Sequence, residues 1–391
     1  MRRRASLVIA AALLAATAAS AVAQESVFGI RGLGFLGWPV SARSAGMGGG
    51  DALFDGSSAV NPASLASWHS LAGWAVGAQS QRSVDAGAGT ASLRSMRFPL
   101  FGFATPIGRR LVVGVSASDF LNRNWDVQQS DTVVPRDSAV PVTDRTKSIG
   151  GVSDIRFAAA YWLTDRIAFG AGFHVLTGST QTAIQRQFPS DSAYSTFAQI
   201  TQTEYRGSAA SLGVFFTPAP RIVLGASAQF NGPLRANNPG ASARVHLPTE
   251  LSAGIYVGTL QGITVSSFVS HANWSVASAD LVAAGQSGAR DVWSLGVGAQ
   301  VMALKMFGQV TPLRAGYRWR QLPFLVPEPN PTLPTQTVTV PLSEHAVSFG
   351  LGFLMAGGRA NLDLALESGS RAAGAVRERF TTLLVGVAIF P

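Results

Sequence analysis

From His69 onward, large apolar residues and small or polar residues alternate with a period of two. Ile167, Phe169, Ala171, Phe173 and Val175 share one face of a strand, and Ala168, Gly170, Gly172 and His174 share the other. Trp293, Leu295, Val297, Ala299 and Val301 oppose Ser294, Gly296, Gly298 and Gln300. Val347, Phe349, Leu351 and Phe353 oppose Ser348, Gly350 and Gly352, and Leu383, Val385, Val387 and Ile389 oppose Leu384, Gly386 and Ala388. A soluble sandwich would carry charges on its solvent face, and these strands mostly lack them. Large residues toward lipid and small ones toward a lumen are the pattern of a membrane-spanning strand.

The alternation predicts fourteen strands, near 69–80, 89–104, 109–122, 148–163, 166–180, 196–217, 221–230, 243–258, 262–274, 290–303, 311–321, 344–355, 358–368 and 378–390. The number is even, as in single-chain bacterial barrels. Short connections such as 105–108 and 164–165 alternate with longer polar or proline-rich ones, notably 131–146 and 323–341. Connections after the third, fifth, seventh, ninth, eleventh and thirteenth strands are read as the long ones. The expected fold is all-β, a 14-stranded antiparallel transmembrane barrel with both ends of the mature chain on the short-turn side. Trp68, Trp74, Trp125, Tyr161, Trp162, Tyr317 and Trp319 fall near strand ends and are expected in the interfacial aromatic girdles.

One long segment breaks the alternation. Residues 41–68 read SARSAGMGGGDALFDGSSAVNPASLASW, two short helical pieces interrupted by glycine and by the Asn61-Pro62 turn. The inward glycines 170, 172, 296, 298, 350 and 352 leave space in a lumen too wide for side chains to fill. They also relieve curvature. Both readings stand at this stage.

Composition adds an address. Arg2, Arg3 and Arg4, an apolar run over 7–16 and the Ala21-Val22-Ala23 site form a secretory signal, so residues 1–23 are expected to be removed. The expected organisation is a signal over 1–23, a lead-in and hatch over 24–68, and a barrel over 69–391. Charged residues make up 13% of the chain, against about 25% in soluble proteins. No later stretch reaches the ~18 apolar residues of a membrane helix. The formal charge of +9 falls to +6 once the three signal arginines leave. That excess is read as arginine at strand ends and loops, facing outer-membrane lipid and lipopolysaccharide. Nucleic acid is not an expected partner, because no basic patch is interleaved with stacking aromatics.

Little in the sequence carries chemistry. Gly32, Gly34 and Gly37 spell G-x-G-x-x-G without the strand–helix context that a dinucleotide site needs. The five histidines lack metal-ligand spacing, and the chain has no cysteine. His271, Asn273 and Ser275 share a strand face, but nothing marks Ser275 as an activated nucleophile. No catalytic residue, metal ligand or cofactor is assigned, and the chain is read as a non-enzyme.

Residues Ala42, Arg43, Ala45, Gly46, Met47, Gly48, Gly49, Asp55, Asn61, Pro62, Ala63, Leu65 and Ala66 resemble the N-terminal segment of the FadL/TodX-type outer-membrane transport superfamily. They resemble the related PorV/PorQ-type proteins equally. Residues 247–257, 312–324 and 344–353 extend the resemblance more weakly. It implies a lumen plugged by a hatch, with Arg43, Gly46, Met47, Gly48, Gly49, Asn61, Pro62 and Ala63 as hatch or gate residues. The FadL branch implies uptake of fatty-acid-like hydrophobic small molecules, with Phe120, Leu121, Phe324, Leu325 and Val326 as candidates for the entry. The PorV/PorQ branch implies binding of secretion-machinery or surface-attached proteins without solute transport. An open general porin is disfavoured by a lumen read as poor in charge. The final Ile389-Phe390-Pro391 points to Phe390 as the residue read by the barrel-insertion machinery.

Overall fold

The computed structural model describes residues 26–85, 90–135, 139–189, 194–259, 262–306, 309–329 and 337–390. The signal expected over 1–23 lies outside them. Fourteen long strands pair antiparallel, each with its sequence neighbours. They are β1 (Ala72–Asp85), β2 (Thr90–Ile107), β3 (Leu111–Asn122), β4 (Val140–Thr164), β5 (Ile167–Gln187), β6 (Phe197–Ala219) and β7 (Ile222–Asn231). The ring continues through β8 (Thr249–Gly258), β9 (Ile263–Ala272), β10 (Val292–Met306), β11 (Gln309–Pro329), β12 (Thr337–Met355), β13 (Ala360–Ala373) and β14 (Val376–Ile389). β14 pairs with β1, from Arg377↔Asp85 to Ile389↔Gly73, and closes the barrel.

The faces follow the alternation. Phe101, Phe157, Phe169, Phe173, Trp293, Phe349 and Ile389 are exposed on the outside. Ala168, His174, Ser348 and Ala365 are buried toward the axis. In lipid, closure satisfies every ladder hydrogen bond and leaves no edge within the wall.

Several expectations need correction. The strands run further than the alternation suggests, because they project beyond the ~9–11 residues that cross a bilayer. The supposed loop 131–146 is mostly a hairpin, in which Trp125–Val133 pairs with the start of β4. Much of the supposed loop 323–341 is the paired ends of β11 and β12, Val326↔Val340 to Pro329↔Thr337. The connection after β13 is a tight turn at Gly374 (φ 51°) and Ala375, not a long loop. A second hairpin, Leu234–Asn238 with Ala241–Val245, lies across the upper part of β6.

The aromatic girdle is only partly on the surface. Tyr161 and Tyr317 face outward, but Trp74 and Trp125 are buried. Trp68 stacks on Trp74 at 5.5 Å and meets Phe390 at a tilt, also at 5.5 Å. Trp162 Nε1 donates to the Ala66 carbonyl at 2.9 Å. Trp74 has the parity of buried Ala72 and Val76, so it points inward despite its place at a strand end.

The N-terminal side enters from the unexpected end. Ser26 Oγ and the Val27 N–H donate to Glu378, beside the Gly374 turn at the long-connection end. Phe35–Leu36 pairs with Asn122 and Leu121 at the top of β3. The chain then descends until Ala42 meets Gly386, and β1 starts at Ala72. Among the described residues, the end near Phe390 is on the short-turn side and the end at Ser26 is not.

Candidate luminal binding site

Residues 41–68 form a compact unit fixed by side-chain caps. Ser41 caps the helix α1 (Ala42–Gly46) by accepting from the Ser44 N–H at 3.0 Å. The Ser41 hydroxyl also donates to Asp55, whose carboxylate accepts from Ser58 Oγ at 2.9 Å and from the Ser57 N–H at 3.1 Å. Arg43 reaches buried Asp51, Nε to Oδ2 at 3.3 Å. Asn61 Oδ1 accepts from the Ala63 N–H at 2.9 Å, and Pro62 opens the two-turn 3-10 helix Pro62–Ser67. Proline suits that place because its missing donor is unpaired there anyway.

Glycine sets how closely the wall approaches this unit. A Cβ on Gly298 or Gly316 would overlap the Met47 backbone, and one on Gly296 would overlap Gly48. A Cβ on Gly170 would overlap Ala63, and one on Gly213 would overlap Asn61. Gly46 lies against Gly350, and the Gly48 N–H donates to Ser348 Oγ at 2.9 Å. Met47 and Ala63 are fully buried. Of the six inward glycines singled out above, Gly170, Gly296, Gly298 and Gly350 serve this close approach. Gly172 and Gly352 instead make room for Ser211 and the Arg314–Asp363 pair.

On the β11–β14 side the lumen is rich in charge, contrary to expectation. Glu344 accepts from Arg320 Nε at 2.8 Å, from Arg318 Nε at 3.1 Å and from Arg371 Nε at 2.5 Å. Arg318 also donates to Glu367 at 2.7 Å, Arg314 to Asp363 at 2.5 Å, and Arg371 to Glu378. The Trp38 ring lies 3.7 Å from the Arg318 guanidinium, and Phe35 lies 4.3 Å from that of Arg371. Such stacking is strongest where the cation is desolvated. Several of the arginines assigned to strand ends and loops are therefore interior, among them Arg82, Arg156, Arg314, Arg318, Arg320 and Arg371.

The opposite wall holds a polar chain that the sequence reading missed. His174 Nδ1 hydrogen-bonds with Asp154 at 2.8 Å, and His174 Nε2 hydrogen-bonds with Ser211 Oγ at 2.9 Å. The order is that of a serine-hydrolase triad. The three residues stand on β4, β5 and β6, so only strand register brings them together. Ser211 and His174 are nearly fully buried. The luminal cavity is lined by Gln229, the cross-strand neighbour of Ser211, and stops short of the hydroxyl. The arrangement reads as a satisfied structural clasp. His271 instead packs at a tilt against Trp293 at 4.6 Å, and Asn273 accepts from the Thr249 N–H at 2.6 Å. Neither engages Ser275, whose N–H donates to Asp291.

That cavity, about 120 Å³, lies between residues 36–60 and the wall β7–β11. Leu36, Trp38, Val60, Phe268, Trp274 and Leu322 give it an apolar side. Ser227, Gln229, Glu250, Ser252, Ser270 and Ser294 give it a polar one. Its roof holds most of the residues proposed for an entry. Leu121 and Phe324 share an apolar cluster with Leu33 and Trp274, and Phe120 packs against it. Phe324 meets Trp274 edge-on at 5.3 Å, and Val326 packs with Phe28 and Phe35. The Leu325 N–H donates to the Gly288 carbonyl at 3.2 Å. The lead-in packs against this roof through Gly32 and Leu33.

Three comparisons place the chain among known proteins. Its architecture is similar to that of the Ralstonia pickettii toluene transporter TbuX, with a TM-score of 0.59 at 17% identity over 93% of this chain and 100% of that one. It is similar to a Pseudomonas aeruginosa FadL homologue, with a TM-score of 0.59 at 13% identity over 91% and 99% of the two chains. It is also similar to the Pseudomonas putida toluene transporter TodX, with a TM-score of 0.54 at 14% identity over 90% and 97%. The fold is thus that of the FadL-type outer-membrane barrels. No curated protein matches the sequence. A family model described as BamG matches residues 1–231, more than half of the sequence, and the chain accordingly belongs to the BamG family.

Proposed function

We propose that this protein is an outer-membrane channel for the uptake of small hydrophobic molecules, with residues 41–68 as the hatch in its lumen. The observation that carries the reading is the glycine-lined fit around Met47, Gly48 and Ala63. A barrel of this width has no need to bring its wall against a separate segment unless that segment is to fill it. The apolar outer surface suits lipid and lipopolysaccharide, and the similar solved structures include toluene transporters. Arg43, Gly46, Met47, Gly48, Gly49, Asn61, Pro62 and Ala63 are the hatch residues. Phe120, Leu121, Phe324, Leu325 and Val326 line an entry that opens when the lead-in shifts.

Deleting residues 41–68 tests the reading in planar lipid bilayers. The deleted protein is expected to insert and to conduct ions well above the parent. Normal insertion with unchanged conductance overturns the hatch.

A second reading, protein binding without transport, is favoured by one feature. The outer ends of Trp125–Val133, β4, β5 and β6 form a sheet beyond the barrel, exposed over most of both faces. Residues 197–203 of β6 pair with β5 but not with the neighbouring hairpin, which leaves an edge open to a partner strand. Co-purification of a protein lost on trimming this sheet, with no bound small molecule, would favour that reading.

A further inference from the structure

The luminal cavity differs in chemistry from a site for a fatty acid. At about 120 Å³ it is on the scale of the ~150 Å³ cavity that houses one benzene ring. A long acyl chain does not fit. Trp38, Phe268 and Trp274 offer faces and edges to a ring.

The polar side carries Glu250, on β8. Ser270, on β9, lines the same side of the cavity. Among the described residues, no arginine, lysine or histidine pairs with it. Its cross-strand neighbour Gln229 directs one amide N–H to Asn231, at 2.9 Å. The two guanidiniums that also line the cavity, Arg318 and Arg320, are already held by Glu344 and Glu367. A half-buried carboxylate with spare acceptor capacity is stabilised by a donor brought to it as solvent is displaced, and it repels a second carboxylate.

Resting on the channel reading, we propose that this cavity selects a single-ring molecule bearing a hydrogen-bond donor, of the phenol class, and that Glu250 is the acceptor that selects it. A plain hydrocarbon leaves Glu250 unsatisfied. An aromatic carboxylate meets its charge.

The test uses the full chain in detergent micelles and fluorine NMR titrations with 4-fluorophenol, 4-fluorotoluene and 4-fluorobenzoate, which are close in size. The phenol is expected to bind about tenfold or more tighter than the toluene, the value of a hydrogen bond to a charged acceptor. The benzoate is expected to bind weakest. Glu250→Leu should abolish the phenol preference and tighten the toluene, while Glu250→Gln should keep part of it. Retained heat-modifiability of each variant checks that the barrel is folded. Equal affinity for phenol and toluene, benzoate binding tightest, no binding of any probe, or a preference that survives Glu250→Leu would each overturn the proposal. Failure of the channel reading is seen separately, as unchanged conductance after deletion of residues 41–68, and does not alter the order of these affinities.

Discussion

The lumen holds the same inner segment by two different means, which meet on β11 and β12. On the β11–β14 side, charge does the holding. Guanidiniums gathered on Glu344 present their faces to Trp38 and Phe35, and Glu378 anchors Ser26 and Val27. Around Met47, Gly48 and Ala63, absence does it. Glycines on β5, β6, β10 and β11 let the wall touch backbone directly. The charged side binds the lead-in through long side chains that can move. The glycine side binds the hatch through atoms that cannot move without shifting a strand. The difference separates a part that can be released from a part that must be lifted whole.

The largest expected effect comes from the centre of the charged side. Glu344→Ala leaves Arg318, Arg320 and Arg371 facing one another in a buried site, which costs about 3–5 kcal/mol. Thermal unfolding in detergent should register the loss, and limited proteolysis should cut first within residues 26–38. A loss below about 1 kcal/mol would mean that these charges do not hold the lead-in. Gly298→Leu should cost about 1–3 kcal/mol by overpacking. It should expose residues 47–50 to protease while 26–38 stay protected, and it should raise conductance. The reverse order of cleavage would erase the contrast between the two sides.

A smaller effect is expected within the hatch itself. Asn61→Ala removes the acceptor for the Ala63 N–H and should cost about 1 kcal/mol. The barrel should stay intact, but passage of a hydrophobic probe should change. Phe390→Ala removes the contact with Trp68 and should lower the amount of heat-modifiable barrel in the outer membrane; an unchanged amount would discount Phe390 as an assembly signal.

The smallest effect lies outside the lumen, where the helix α2 (Ser278–Ala283) carries Asp280. The His246 backbone N–H donates to this carboxylate at 2.8 Å and holds its pKa below the usual carboxylate value. A depressed carboxyl contributes its stability above the unfolded value, about 3.9. That contribution fades as pH falls through the folded pKa. The protection factor of the His246 amide should therefore hold steady from neutral pH to about pH 5 and fall below about pH 4. A fall beginning near neutrality would assign the contact to another group.

Strand number, faces and closure were legible because large residues repeat on the outside with period two, as at Phe169 and Phe173. The outer ends of β4 to β6 were not, because both faces there are exposed and nothing alternates. The charged side was invisible for another reason. Arg318, Glu344 and Arg371 lie 26 and 27 positions apart, and only antiparallel register stacks them. The same holds for Asp154, His174 and Ser211. Tryptophans near strand ends misled because position alone does not give direction; the parity of Trp74 with Ala72 and Val76 does. The hatch segment stood out through its lack of period, but nothing in its sequence says that its lead-in comes down from the far end.

That route bears on how the molecule assembles. Ser26 is tied to a residue 352 positions away, and the β14–β1 seam joins side chains 302 apart. Both are among the most non-local contacts a chain of this length can make, and contacts of that kind form late. The anchor Glu378 stands on β14, the strand that completes the ring. A lead-in gripped by Phe35 and Trp38 above, and by backbone-tight glycines below, has no clearance to be drawn through a finished barrel. The strand that seals the wall is thus also the strand that ties down the lead-in, so one element carries both closures.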